Sequence, residues 1–458
     1  MIFNAINSND FNKVQQLVKD NVDVNMLRDG YYPLTVSLET AIENKSYGIF
    51  KLLFNQSLKY KNIMRELLAH SVLENDQILN YILDNGFDVN LAIETDDIFH
   101  KSGDTMLFLA LKALEGKKLR RIVELLIKKG ADISHKNTSG NTALHLACID
   151  KQSSDNRIDL IKIFIEKGID INSVNNEGET PLMIYLKNDI LDYETFSYLI
   201  SRGADCKVKD KQDRNLLDIV LGHFRLKPSK LTVDPVENVK KIVSDLVEAG
   251  LDINAVDKNG ATPIFYLMLN EDCCVELIEF MIAKGSKCNL RMNDGDNLLH
   301  QACGRQRKNL LNVIKFLAEN GAAVKDKNSR GATPVMILML NKSCSTKAID
   351  YLMSVGSDIH EKDIENDNVL HYICSHRDIA HYNDFYDVIK YLLKKKVDIN
   401  AQNKNGMTPL MVLLNNPKYE IIEDHLNFLQ SKNVKTEIKS NEGLTINEYI
   451  QKAKKRYE

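Results

Sequence analysis

The amino-acid sequence predicts an all-α solenoid made of one continuous array of helical repeats. Three observations lead to this fold class. Motifs of similar sequence return along the chain, with eight anchor residues between positions 142 and 408 and a mean spacing of 38 residues. Several apolar stretches begin with Thr-Pro, and others end with a glycine. Repeats of roughly 20–50 residues indicate solenoids, propellers or arrays, and helix start and stop signals in every repeat favour the helical solenoid.

The repeated motif takes two forms that alternate along the chain. The Thr-Pro form has its anchors at Thr180, Thr262, Thr333 and Thr408. The second form has its anchors at Thr142, Asn215, Asn297 and Asn368. The fifth residue after the anchor is large in the Thr-Pro form and smaller or β-branched in the second form. The eight residues in chain order are Ala147, Tyr185, Val220, Leu267, Ala302, Leu338, Ile373 and Leu413. Because facing large and small residues interdigitate well, we infer that the present unit is a pair of repeats.

Each repeat is expected to contain two helices and a turn. The Thr or Asn anchor can cap the first helix with its side-chain oxygen, and a following Pro suits the first helical position. The second helix ends at a glycine that suits the left-handed conformation, with Lys396 in the same position of one repeat. A short extended piece, such as residues 169–172, and a polar glycine turn should then lead to the next repeat.

This arrangement of helix, helix, glycine and turn resembles the ankyrin repeat. Thr142, Leu144, His145 and Ala147 match the family signature Thr-Pro-Leu-His-x-Ala, with Ala143 in place of the proline. The resemblance covers about residues 1–445 and is strong from residue 103. It implies an all-α ankyrin-repeat solenoid with short β-turn fingers, about twelve repeats and a C-terminal capping half-repeat. We therefore expect divergent N-terminal repeats at 1–102, a regular array at 103–440 and a cap at 441–458.

The chain departs from the family pattern mainly between the two helices of a repeat. Insertions occur at residues 151–157, 226–235 and 376–381, and a basic run at 117–121 is assigned to an inter-helix loop. Long inter-helix segments and bulky inner helices resemble the divergent ankyrin proteins of poxviruses and intracellular bacteria. Two interpretations of the insertions stay open. They are either drift in tolerant surface loops or a second binding edge.

Composition excludes several classes of protein. Lys plus Arg number 60 and Asp plus Glu number 63, giving a net charge of −3, which argues against nucleic-acid coating. No apolar run approaches the roughly 18 residues of a membrane helix, and Asp10 interrupts any signal-peptide core. The eight cysteines form no Cys-x-x-Cys pair, which suggests reduced thiols. We expect a cytoplasmic monomer, in the host cytosol if the source is a virus or an intracellular bacterium.

Chemistry-bearing residues are few, and we expect no catalytic, cofactor-binding or metal-binding residues. His145, His300 and His371 each precede a cysteine by three residues, which could form metal half-sites. We instead expect these histidines to bond neighbouring backbone and these cysteines to pack. The alternative to a binding protein is an enzyme or enzyme regulator whose site is built from the inter-helix insertions around His376 and His381.

The resemblance implies a protein-binding scaffold or adaptor that uses its concave groove and finger tips, without enzymatic activity, in a host–pathogen setting. From residue 207 the finger tips lean basic, so we expect an acidic partner surface. The candidate partner-binding residues are His135, Lys136, Asn175, Lys209, Lys211, Asp257, Lys258, Arg291, Met292, Lys327, His360, Lys362, Gln402 and Lys404.

Overall fold

The computed structural model describes residues 1–24, 33–44, 47–57, 75–92, 103–149, 157–189, 191–225, 234–375, 385–416 and 423–455. Twenty-four helices lie in these ranges. In chain order they are α1 Ile2–Asn7, α2 Phe11–Lys19, α3 Pro33–Asn44, α4 Gly48–Ser57, α5 Asp76–Asp84, α6 Met106–Ala113, α7 Gly116–Lys128, α8 Ala143–Ala147, α9 Arg157–Glu166, α10 Pro181–Leu186, α11 Tyr193–Ser201, α12 Leu216–His223, α13 Pro235–Glu248, α14 Pro263–Leu269, α15 Val275–Ala283, α16 Leu298–Gly304, α17 Leu310–Glu319, α18 Pro334–Leu338, α19 Thr346–Ser354, α20 Val369–Cys374, α21 Phe385–Lys394, α22 Pro409–Asn415, α23 Glu423–Gln430 and α24 Ile446–Lys454.

The chain forms two compact units. Unit 1 comprises Met1–Asn188 and Asp192–Asp205, and unit 2 comprises Asp189–Leu191 and Cys206–Glu458. In unit 2 the first helices of successive repeats pack on one another, as α16 packs on α18 and α20 on α22. The second helices form another layer, in which α17 packs on α19 and α19 on α21. Unit 1 follows the same pattern, because α8 packs between α6 and α10. The predicted all-α ankyrin solenoid is therefore confirmed.

Helix starts follow the predicted signals. Pro181, Pro263, Pro334 and Pro409 each lie in the first turn of a first helix. In the second form the Asn297 side chain accepts a hydrogen bond from the backbone N–H of His300 at 3.1 Å. These contacts satisfy donors that the first turn of a helix leaves without a partner.

Helix ends also follow the predicted signals. The glycines after the second helices have positive φ, from 83° at Gly168 to 110° at Gly356. Lys396 occupies the same position with a φ of 64°. The glycine alignment made from the sequence is therefore confirmed at residue 396, although its side chain makes this conformation costly.

Two predictions about local structure were wrong. The piece at 169–172 is not extended, because the Asp170 side chain accepts from the backbone N–H of Asn172 at 3.0 Å and turns the chain. The basic run at 117–121 lies inside α7 and not in an inter-helix loop. Its Leu119 is buried, so the run supplies one apolar contact to the core and four polar side chains to the other faces of the helix.

The divergent N-terminal region contains the expected elements where it is described. Leu38 and Ala41 are buried in α3. The stretch at 49–53 lies in α4, and Gly86 follows α5 with a φ of 89°. An earlier helix pair, which the sequence analysis did not identify, begins with α1, and this helix buries Ile2 and Ile6 and packs on α3.

Most of the inter-helix insertions, at 151–156, 226–233 and 376–381, lie outside the described residues. None of the helices in the described part of the chain is long and apolar enough to cross a membrane.

Candidate partner-binding surface

The segments that join each second helix to the next first helix in unit 2 form what we call the finger edge. It consists of residues 206–215, 249–262, 284–297, 320–333, 355–368, 395–408 and 431–445. Each segment contains a five-residue turn, or finger, closed by two backbone hydrogen bonds. In the finger at 257–261, Asp257 N–H donates to the Ala261 carbonyl at 3.0 Å and Gly260 N–H donates to the Asp257 carbonyl at 3.1 Å.

Successive fingers are tied to one another by backbone hydrogen bonds. Lys258 N–H donates to the Gln212 carbonyl at 3.1 Å, and Asn293 N–H donates to the Asn259 carbonyl at 2.8 Å. The same bond recurs through the finger at 440–444, where Asn441 N–H donates to a carbonyl of the preceding finger at 3.0 Å. The finger edge is thus a fixed ladder that can present side chains with little ordering cost on binding.

The first residue of most fingers is an Asp or Asn that holds the turn. Asp257 Oδ1 accepts from the backbone N–H groups of Asn259 and Ala261 at 2.9 and 2.8 Å. Asn403 makes the equivalent pair of bonds at 3.0 Å. These residues are committed to local structure, which the sequence analysis did not recognise.

Tyrosines in two first helices donate hydrogen bonds to the first residue of a finger, which lies nine positions earlier in the chain. The Tyr266 hydroxyl donates to Asp257 Oδ2 at 2.7 Å, and the Tyr372 hydroxyl donates to Asp363 Oδ2 at 2.9 Å. Burial, followed by the carboxylate contact, raises the pKa of both tyrosines above the usual range. Both hydroxyls are therefore neutral donors that fix finger orientation.

Half-buried residues of the first helices line a strip along the fingers. In unit 2 they lie four positions after the anchors from Thr262 onward and are Tyr266, Gln301, Ile337, Tyr372 and Val412. Because they combine apolar bodies with partly accessible surface, they suit contact with a partner. The regular anchor spacing could have identified these positions from the sequence.

The signature histidines bond neighbouring backbone, as predicted. In unit 2, His300 Nδ1 accepts from Asn297 N–H at 3.2 Å, and its Nε2 donates to the Ala332 carbonyl at 2.9 Å. His371 makes the equivalent bonds, as does His145 in unit 1. Burial is the main cause that lowers the pKa of all three imidazoles. Both ring nitrogens are thus occupied in the neutral form.

The cysteines next to these histidines pack as small apolar residues. Cys148, Cys303 and Cys374 are buried, and all eight cysteines are free thiols. Burial raises the pKa of Cys374 to about 12, so its thiolate is not available at neutral pH. Within the residues whose placement is known, no group of three or more His, Cys, Asp or Glu could hold a metal ion.

Most of the candidate binding residues are exposed. These are Lys136 in unit 1 and Lys209, Lys211, Lys258, Arg291, Lys327, His360, Lys362, Gln402 and Lys404 in unit 2. Across the finger edge of unit 2, exposed Lys and Arg number fifteen and exposed Asp and Glu number eight. The accessible charge of this edge is therefore positive, although the whole chain is slightly acidic.

Several exposed cations bridge neighbouring fingers. Arg291 pairs with Asp326 at 2.5 Å, and Lys327 pairs with Glu361. Lys404 lies 3.8 Å from Glu365. Exposed pairs of this kind contribute about 0–1 kcal/mol each, so a partner carboxylate can compete for these cations at small cost. The sequence could not show this pairing, because it joins residues of different repeats.

Four candidates are less accessible. Asp257 is buried in its own turn. Asn175 is half-buried and donates to Asn141 and Glu179 side chains, both at 3.1 Å. His135 is half-buried, and its Nε2 donates to the Gly103 carbonyl at 2.7 Å. Met292 is half-buried beside Gln301. These side chains mainly stabilise the fingers.

The alternative site around His376 and His381 lies outside the described residues. The finger edge is the candidate surface that lies within the described residues.

Comparison with protein families agrees with this fold and surface. A family model for ankyrin repeats matches residues 107–210, 236–330, 273–363 and 335–435. These matches cover well over half of the chain, and the protein belongs to the ankyrin-repeat family. Ankyrin repeats generally mediate protein–protein interaction, and proteins of this family are typically interaction modules without enzymatic activity.

Relatives come from animals and viruses. The mouse B-cell lymphoma 3 protein homolog is 32% identical over 113 residues, which is 24% of this chain and 23% of the relative. Ankyrin repeat protein OPG189 of Variola virus is 28% identical over 253 residues, 49% of this chain and 42% of the relative. Ankyrin repeat protein R841 of Acanthamoeba polyphaga mimivirus is 24% identical over 399 residues, 76% and 63% of the two chains. The chain thus spans less than two thirds of the length of each.

Proposed function

We propose that this protein is a non-enzymatic adaptor that binds an acidic surface of a partner protein through the finger edge of unit 2. The observation that carries the proposal is the excess of exposed Lys and Arg, fifteen against eight exposed acids, on a hydrogen-bonded ladder. Electrostatic complementarity of this kind raises association rates and selects partners. The half-buried strip from Tyr266 to Val412 would supply the apolar part of the interface.

Within this proposal the binding residues are the exposed candidates. Lys209, Lys211 and Lys362 have no ion pair in the described part of the structure, and they are therefore the first cations that a partner would meet. Asp257 and Asn175 are left out of the proposed interface because their side chains hold turns. Lys136 belongs to unit 1, where we propose it as an exposed binding residue of that unit by itself.

The cellular setting is part of the same proposal. The similarity to ankyrin repeat proteins of Variola virus and of a mimivirus supports a role in contact between a virus and its host. The eight free thiols support a reducing compartment such as the cytoplasm. We propose that the chain acts as a monomer, with its partner supplying the other half of the interface.

The test compares two triple charge reversals after the partner has been captured from cytosol with the intact chain. The first replaces Lys209, Lys211 and Lys362 with Glu. The matched control replaces Lys308, Lys347 and Lys394, which are exposed beside or on second helices, with Glu. Both variants change the net charge equally, and exposed sites change stability by only about 0.5 kcal/mol each.

We expect the finger variant to slow association and to flatten its dependence on salt, because rim charges act mainly on the association rate. The control should keep both properties, and circular dichroism should show that both variants are folded. Slower association in the control with an unchanged finger variant would place the interface on the second-helix side and refute the proposal.

A further inference from the structure

One repeat of the second form lacks the signature histidine. Asp218 occupies the third position of α12, where the equivalent helices carry His145, His300 and His371. Its side chain is buried, with an exposure of 1%. Asp218 Oδ2 accepts from the backbone N–H of Asn215 at 2.7 Å, which is the bond that the histidine Nδ1 accepts elsewhere.

The hydrogen bond that the histidines donate through Nε2 has no counterpart when Asp218 is ionised. In other repeats the Nε2 group donates to the carbonyl that precedes the next Thr anchor, such as Ala332 before Thr333. The corresponding carbonyl here belongs to Ala261. Asp218 Oδ1 is buried and has no hydrogen-bond partner in the described structure. A carboxylate has no proton to donate, whereas a neutral carboxyl group has one.

The charged groups around Asp218 come from its own repeat and the next one. Asp257 repels the ionised form, while Lys209 and Arg214 favour it. Arg214 is also paired with Asp210 at 2.6 Å. The packed helix α13 presents apolar residues and Asn238, which donates to the Leu191 carbonyl. The packed helix α14 presents Tyr266, whose hydroxyl is held by Asp257, and His223 lies at the far end of α12.

We propose that Asp218 is a proton switch between the repeats anchored at residues 215 and 262. In its neutral form it can donate to the next finger and fasten that finger to α12. In its ionised form it places an unpaired buried charge at the same junction and loosens it. This regulation goes beyond partner binding, and its test needs no partner.

The pH range over which the switch acts follows from the environment of the Asp218 carboxyl group. Burial is the largest cause that raises the pKa of Asp218, from an ordinary 3.8 to about 7. The pKa of Asp218 is higher in the folded chain than in the unfolded chain. Its contribution to the stability of the junction is therefore fully present below about pH 4. It declines as pH rises and is lost above about pH 7. The junction is therefore expected to be tighter in mildly acidic solution than at pH 8.

The test is hydrogen exchange measured by mass spectrometry on the full chain at pH 5, 6, 7 and 8, corrected for intrinsic exchange rates. Peptides that cover 216–225 and 257–269 report on the junction. One pH unit across this range corresponds to about tenfold in the opening equilibrium. We expect opening to increase on the order of tenfold per pH unit between pH 5 and pH 7 and to level off above pH 7.

Two variants and one control decide the outcome. Asp218→Asn keeps an acceptor and a donor at every pH, so its opening should not depend on pH. Asp218→His restores the histidine of the other repeats, and its opening should also be independent of pH above pH 6.5. This second variant tests the proposal if Asp218→Asn folds poorly. Asp213→Asn removes an exposed charge nearby at a position of positive φ, 61°, that Asn tolerates, and should behave as the parent chain. Opening that is independent of pH in the parent, or equally dependent in Asp218→Asn, would overturn the proposal.

Discussion

At the scale of single residues, the backbone conformation explains which side chains the repeats accept. Glycine follows most second helices because that position has positive φ, where a Cβ atom is strained. Lys396 adopts a φ of 64° at this position, and its side chain is exposed and forms no ion pair in the described structure. The lysine therefore has the strain without a compensating contact.

Replacing Lys396 with Gly should consequently stabilise the chain by about 1 kcal/mol. Lys394→Gly is the control, because Lys394 is the last residue of α21 and Gly there should destabilise by a similar amount. Chemical denaturation followed by circular dichroism measures both variants. A lower midpoint for Lys396→Gly would show that the left-handed conformation costs less than the flexibility that Gly adds to the unfolded chain.

At the scale of elements, the two forms of repeat complement each other. Asn341 lies eight residues after Thr333 and is buried. Its Nδ2 donates to the carbonyls of Cys303 and Arg305 at 2.8 and 2.7 Å, where the first helix of the preceding repeat ends. Asn270 makes the same kind of contact with Leu221 and Phe224. Thus a histidine of the second form donates to the repeat that follows it, and an asparagine of the Thr-Pro form donates to the repeat that precedes it.

Asn341→Ala should therefore be costly. It leaves the buried Cys303 carbonyl and the part-buried Arg305 carbonyl without their donor, for which we expect a loss of about 2 kcal/mol. Asn312→Ala is the matched control, because Asn312 is exposed in α17 and Ala is a better helix former. The two unfolding midpoints are compared by chemical denaturation. Equal midpoints for the two variants would mean that Asn341 does not clamp the helix end.

The sequence predicts the boundaries of these elements better than their contacts. Caps, Thr-Pro starts and terminal glycines are local signals, so α10, α14, α18 and α22 begin where expected. The run at 117–121 was assigned to a loop because it contains four charged residues and only one apolar residue. That residue, Leu119, shows which face of the helix is buried.

The candidate surface was only partly predictable for the same reason. Finger positions follow from the glycine turns, so the exposed lysines were found. The burial of Asp257 could not be predicted, because a polar residue in a turn is expected to be exposed unless its bonds to Ala261 and Tyr266 are known. Asn341 had a signal that was not used, because an Asn follows every Thr-Pro anchor by eight residues, at 188, 270, 341 and 416. Its partners could not be predicted, since they lie 36 and 38 residues away. The predicted boundaries after residues 102 and 440 stay predictions.

At the scale of the whole molecule, the central claim is that the building unit is a pair of repeats. Within unit 2, His300 and Asn341 join the repeats anchored at 297 and 333 in both directions. The Thr-Pro repeats of unit 2 have Phe265, Met336 or Met411 where the second form has histidine, so the forward bond is not repeated between pairs. Arg307 does reach the preceding pair, donating to the Met268 carbonyl at 2.6 Å.

The most direct test compares two deletions by chemical denaturation and circular dichroism. One removes the complete pair at residues 297–367, and the other removes the single repeat at 297–332. In a plain one-dimensional array the longer deletion is the more harmful. If pairs are the unit, the opposite order holds, because the shorter deletion places two Thr-Pro repeats side by side and leaves Asn341 without its partners. We predict that the pair deletion keeps the higher unfolding midpoint and the helical signal per residue. A higher midpoint for the single-repeat deletion would contradict the claim.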